Sequence, residues 1–136
     1  MLNAAIGVSR ERRSALTIAK LQIPQTVPIR ALIDTGASAT CIDPSALLPL
    51  QLTPTGIATV HTPSTKSNEP SEHEQYDISL IVPAAANQPP LVLHILPVIC
   101  ADLLSSQGFH ALIGRDVLSQ CIFIYNGPAG FFTLAY

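Results

Sequence analysis

The sequence predicts a single all-β domain, and three observations carry that reading. The chain has 136 residues of which 48% are hydrophobic, enough for one core and too short for two. Twelve prolines and seven glycines divide it into short segments. Most of those segments are brief runs of Val, Ile and Leu closed by turn residues, a pattern of strands rather than helices. With a mean hydropathy of +0.38, the chain is also far from the composition of a disordered one.

Taken in order, residues 14–23 alternate Leu16 and Ile18 with Leu21 and Ile23 after a change of phase, and read as a strand with a bend. Residues 28–34 form a second strand and 39–43 a short third. Asp43 before Pro44 is a helix-start signal, so 44–48 reads as one helical turn. Strands follow at 56–60 and 76–82, around a polar stretch at 61–75. A further strand spans 91–100, preceded by a turn at Asn87-Gln88-Pro89-Pro90. Residues 111–113 are a short strand that Gly114 ends, and 115–120 a short helix. Residues 122–125 and 131–136 pair across Asn126-Gly127-Pro128-Ala129-Gly130 as a hairpin.

Composition excludes several classes of function. A net charge of −2 gives no footprint for nucleic acid. Four of the seven basic residues, Arg10, Arg12, Arg13 and Lys20, crowd the first twenty positions, and residues 1–13 read as a solvated, frayed extension to a domain at 14–136. The longest apolar run, 91–100, is broken by His94 and Pro97 and falls short of the roughly 18 residues that a bilayer span needs. The N-terminus lacks a basic region before its short apolar stretch and makes a poor signal peptide. Cys41, Cys100 and Cys121 have an odd count and no paired spacing, so reduced thiols and a cytoplasmic location are expected. No histidine spacing matches a zinc site, and His61, His73, His94 and His110 read as solvated or hydrogen-bonded side chains, with no metal or other cofactor implied.

The chemistry lies at Asp34-Thr35-Gly36. An apolar run ends there, and a second run ending in glycine, Ala111-Leu112-Ile113-Gly114, stands eighty positions on. A hydrophobic strand that delivers a carboxylate into a tight turn places an ionisable group where its surroundings can tune it. An ordinary β-turn can carry the same tripeptide.

Two blocks extend the pattern: Ala31-Leu32-Ile33-Asp34-Thr35-Gly36-Ala37-Ser38-Ala39-Thr40 and Phe109-His110-Ala111-Leu112-Ile113-Gly114-Arg115-Asp116-Val117-Leu118. Together they resemble the retropepsin-like, single-domain aspartic proteases, and bacterial-looking members in particular. A looser similarity runs through Ile124-Tyr125-Asn126-Gly127-Pro128 to Phe131-Phe132-Thr133-Leu134. The resemblance implies a closed β-barrel, half of an acid protease, with one short helix near the C-terminus. It implies that Asp34 is the catalytic acid/base within the triplet Asp34, Thr35 and Gly36, and that Thr35 reaches the backbone of an opposite protomer. It places Ala37 and Ser38 at the substrate-binding floor of the cleft, and a flap at 61–75, although that stretch has no glycine for a retroviral-type flap tip and reads equally as a solvated loop. Many retroviral relatives have an acidic residue at the position of Ser38, paired with the arginine of the second block. Here Arg115 must find another partner, with Asp43, Asp116 or main-chain oxygens as candidates.

Aspartic proteolysis needs two carboxylates a few ångström apart that share one proton. The chain has one such triplet, and Asp43, Asp77, Asp102 and Asp116 lack the Thr-Gly context. The second carboxylate must then come from a second copy, placing Asp34 and its mate on a two-fold axis. The expected function is an aspartic endopeptidase that works as a homodimer on polypeptides. The alternatives are a non-catalytic dimerisation or peptide-binding module of the same fold, and a structural β-domain with an incidental turn.

Overall fold

Along the first strand, β1 (Leu2–Val8), the buried side chains Ala4, Ile6 and Val8 fall at every second position. The same period of two puts Ile29 and Ala31 of β2 (Val27–Ile33) inside, with Ile78, Leu80 and Val82 of β5 (Ser71–Val82) and Leu96 and Val98 of β6 (Leu91–Cys100). Strands that bury one face and expose the other must wrap around a common core, and here they close into a barrel. The computed structural model describes residues 1–61, 70–103 and 105–136.

The remaining elements are α1 (Arg10–Ile18), β3 (Cys41–Ile42), α2 (Pro44–Leu47), β4 (Gly56–Val60), β7 (Ala111–Ile113), α3 (Arg115–Leu118), β8 (Ile122–Asn126) and β9 (Phe131–Ala135). Hydrogen bonding orders the main sheet β1-β2-β7-β3-β6-β5-β4, and β1 also pairs with β5. Strands β1, β2, β7, β3, β6 and β5 therefore form a closed barrel, and β4 pairs with the first part of β5 outside it. Strands β8 and β9 form a separate two-stranded sheet. Val117 of α3, Ala46 and Leu47 of α2, and Leu50 just after it complete the core. Each large aliphatic side chain fully buried in it contributes roughly 1.5–3 kcal/mol.

Most predicted strands stand where the sequence puts them, and the short helices do too. Asp43 caps α2, its Oδ1 accepting from the Ser45 amide at 2.9 Å, with Pro44 in the first turn. The β8–β9 turn closes through the Gly130 amide to the Asn126 carbonyl at 2.9 Å, with Gly130 at φ 71°. Asn87, also left-handed at φ 70°, marks the turn before β6.

Two expectations at the N-terminus are corrected. Residues 2–8 are not frayed: β1 pairs with β2 on one side and β5 on the other, and supplies the strand that closes the barrel. Residues 14–23 are not a strand, because Ser14 to Ile18 belong to α1. Ser9 caps this helix by accepting from the Arg12 amide at 3.2 Å. At its other end the Lys20 amide donates to the Thr17 carbonyl and the Leu21 amide to the Leu16 carbonyl. That pair of bonds is a Schellman closure, with Lys20 held left-handed at φ 55°. The apparent alternation carried no burial information, since Leu16 is buried while Ile18 is 83% and Leu21 61% exposed.

The polar stretch is only partly described. Strand β5 begins at Ser71, earlier than expected, and pairs with β4 from Gly56 opposite Gln75 to Val60 opposite Ser71. The rest of that stretch, 62–69, which the resemblance assigns to the flap, lies outside the described residues.

Candidate active site

Strands β2 and β7 run parallel, with Ala31 opposite Ala111, Leu32 opposite Leu112 and Ile33 opposite Ile113. Ala31, Ala111 and Ile113 are fully buried, which fixes the register of this pairing. The chain leaves β2 at Asp34, whose amide still donates to the Ile113 carbonyl at 2.9 Å. A tight turn follows. The Gly36 amide donates to Asp34 Oδ1 at 2.9 Å, and the Ala37 amide to the Asp34 carbonyl at 3.2 Å. A Cβ on Gly36 would stand 3.2 Å from that same Oδ1, so glycine lets the turn close on the carboxylate. Asp34 is half-buried, while Thr35, Gly36 and Ser38 are exposed and Ala37 is half-buried. All five candidate residues thus lie on one turn at the end of one barrel strand.

That turn is held by the second block. Arg115 donates from one guanidinium nitrogen to the carbonyls of Thr35 at 3.0 Å and Gly36 at 3.1 Å. Its own amide donates to the Ala37 carbonyl at 2.9 Å. The partner of Arg115 is therefore main-chain oxygen of the Asp34 turn, neither Asp43 nor Asp116. With serine at position 38, two carbonyls do the work that a carboxylate would otherwise do. Gly114 makes the approach possible, because a Cβ there would meet the Ala39 carbonyl carbon and oxygen at 2.7 Å.

A second layer supports the first. Thr40 is fully buried, and its hydroxyl donates to Asp116 Oδ1 at 2.7 Å while accepting from the Gly114 amide at 3.1 Å. The Thr40 amide donates to Asp116 Oδ2 at 2.9 Å, and the Val117 amide to Oδ1 at 2.9 Å. Asp116 thus ties the chain leaving the Asp34 turn to the start of α3. Comparison of each aspartate with the Asp-Thr-Gly pattern misses this role. The available signal was an aspartate in the first turn of a short helix, where a carboxylate meets free amides.

Asp43 is buried at the far end of β3. Burial alone would raise its carboxyl, but bonds from the Ser45 hydroxyl and amide and from the Leu103 amide outweigh it, helped by nearby His110, and hold it below the ordinary value. Cys41, Cys100 and Cys121 are free, half-buried thiols. Burial pushes the Cys41 thiol up, and the charges of Asp116 and Asp34 push it further, so it is poorly suited to act as a nucleophile. His73 holds the Cys100 carbonyl at 3.1 Å and the Ser71 hydroxyl at 2.9 Å, and His110 accepts from the Arg30 amide at 3.3 Å. Among the described residues no group of three His, Cys, Asp or Glu side chains comes together to hold a metal ion.

A closed β-barrel with an Asp-Thr-Gly turn clamped by a glycine-arginine segment defines a class, that of the aspartic protease half. The family model described as retroviral aspartyl protease matches residues 10–123, most of the chain. The chain belongs to the retroviral aspartyl protease family. No curated protein matches it. Among the described residues no helix is long and apolar enough to cross a membrane.

Proposed function

We propose that the protein is an aspartic endopeptidase that works as a homodimer, with the Asp34 carboxylates of two copies as its catalytic pair. The observation that carries this reading is the anchoring of Asp34. Its carboxylate is oriented by the Gly36 amide, and its turn is fixed by Arg115 from the second block. A carboxylate held this firmly on a half-buried turn is preorganised for acid–base work rather than left to rotate in solvent. Two such turns meeting on a two-fold axis would put the carboxylates close enough to share one proton. One then takes a proton from water as the water attacks the scissile carbonyl, and the other protonates the departing amide nitrogen. Exposed Thr35 is free to hydrogen-bond across the axis, and Ala37 and Ser38 would lie against the substrate backbone.

The C-terminal hairpin supports assembly. Ile122, Ile124 and Phe131, on one face of the β8–β9 sheet, are 65%, 57% and 56% exposed. The opposite face packs Phe123 against Phe132, with ring centroids 5.8 Å apart, and seats Leu134 against the barrel core. A two-stranded sheet with free edges and an outward apolar face gains stability by pairing with a second copy. The three free thiols fit a reducing compartment such as the cytoplasm.

The test combines sedimentation with cleavage of a mixed-peptide library at mildly acid pH. A dimer whose cleavage is abolished in Asp34→Asn, with an unchanged circular dichroism spectrum, supports the reading. Cleavage that survives in Asp34→Asn overturns the aspartic mechanism. A folded dimer with no cleavage at any pH points instead to a binding module of the same fold.

A further inference from the structure

The outer wall of the barrel carries a groove that the proteolytic reading does not use. It lies between α1 and strands β1, β5 and β6 and holds about 350 Å³. Arg10 and Arg13 line it from α1, and Ile81, Val92 and His94 from the strands; Val8 also borders it but is only 1% exposed, so the accessible apolar surface is that of Ile81 and Val92. No carboxylate lines it among the described residues. Arg10 pairs with Glu11 at 3.8 Å, and both side chains of that pair are 62% exposed. Such a surface pair contributes little and is readily exchanged for another carboxylate. Arg13 has no ion-pair partner among the described residues.

The placement of these cations is built into the fold. The Ser9 cap fixes the start of α1 and the Schellman closure at Lys20 fixes its end, so both arginines project from a rigid element. The chain as a whole has a charge of −2, yet four of its seven basic residues fall on or next to this helix. The groove is therefore a local positive site on an acidic protein, with the apolar side chains Ile81 and Val92 beside its cations. It is also remote from Asp34. Antiparallel pairing sets Leu2 opposite Ala31 and Ile6 opposite Val27, so the Val8 end of β1 lies about a strand length, roughly 20 Å, from the Asp34 end of β2.

We propose that this groove binds an acidic polypeptide segment, with carboxylates on Arg10 and Arg13 and apolar side chains on Ile81 and Val92. Arginine forks match carboxylates in two-point contacts. An extended segment that alternates acidic and apolar residues presents the two chemistries on its two sides, one for the arginines of α1 and one for the apolar side chains of β5 and β6. The volume suits a few side chains of such a segment, at the small end of ligand sites. The inference stands apart from the proteolytic reading.

The experiment titrates Asp34→Asn protein with a fluorescent dodecapeptide of alternating glutamate and leucine, and with the same peptide carrying lysine for glutamate. Saturable binding of the glutamate peptide alone is expected. Arg10→Glu with Arg13→Glu should weaken it about tenfold or more, while the charge-matched pair Arg12→Glu with Lys20→Glu, outside the groove, changes it far less. Arg10→Gln with Arg13→Gln, checked by its melting curve, gives the same loss without charge reversal. Three results overturn the proposal: no saturable binding, equal loss in the charge-matched control, or capture by phosphatidylglycerol vesicles with no peptide bound. Because the protein used cannot cleave by way of Asp34, failure here leaves the proteolytic reading intact.

Discussion

The Thr40 hydroxyl and the Asp116 carboxylate stand 2.7 Å apart across 76 positions of sequence. The same hydroxyl accepts from the Gly114 amide, so one oxygen joins the loop after Asp34 to the segment that clamps it. Thr40→Val keeps the shape and removes that oxygen, leaving a buried amide without its partner and a carboxylate without one of its donors. The expected loss is about 2–4 kcal/mol by denaturant unfolding, with Thr40→Ser recovering most of it. A loss below 0.5 kcal/mol, a figure of about the size of an ordinary surface change, would refute the joint.

Arg115 is expected to separate stability from activity. Its guanidinium is exposed although it holds two carbonyls of the Asp34 turn. Arg115→Ala is expected to cost only about 1 kcal/mol in unfolding free energy, since solvent replaces much of what is lost. Peptide cleavage should fall far more, by roughly a hundredfold, because the turn that aims Asp34 is loosened. Parallel melting and cleavage measurements on the same preparation check the split.

Acid should act through Asp43. Its folded carboxyl lies below its unfolded value, so its ionised form contributes stability above the unfolded value of about 4. That contribution disappears as pH falls through the lower folded value. Denaturant unfolding followed downward from pH of about 5 should show the decline, and Asp43→Asn should flatten it. A variant whose stability falls as steeply as the parent's would assign the acid sensitivity elsewhere.

Lys20 offers a gain. A left-handed lysine at the C-terminal end of α1 carries a steric cost that glycine does not. Lys20→Gly is expected to raise stability by about 0.5–1 kcal/mol, seen as a higher melting temperature.

The strands β2, β4, β6 and β7 and the cap at Asp43 were legible because each is a local matter of apolar runs, turn residues and a proline. The Asp34 turn was legible for the same reason, as a short run ending in a tripeptide. What stayed hidden depends on distant partners. Helix α1 looked like a strand because Leu16, Ile18, Leu21 and Ile23 alternate in part, whereas only tertiary packing decides that Leu16 alone among the helix residues is buried. Strand β1 looked frayed because its neighbours, β2 and β5, must fold back before its pattern has meaning. The tie made by Asp116 is hidden because its hydrogen-bond donors, Thr40 and Val117, lie on two different segments.

The parallel pairing of β2 with β7 has a bearing on when the protein becomes competent. Ala31 finds Ala111 only after the intervening loop has closed, and contacts of such long range are gained slowly. During synthesis the Asp34 triplet emerges well before the strand and arginine that aim it, which lie about eighty positions later. A nascent or C-terminally shortened chain lacking Arg115 would carry the carboxylate without its alignment. The order of the segments thus delays the clamping of the turn until Arg115 has been synthesised.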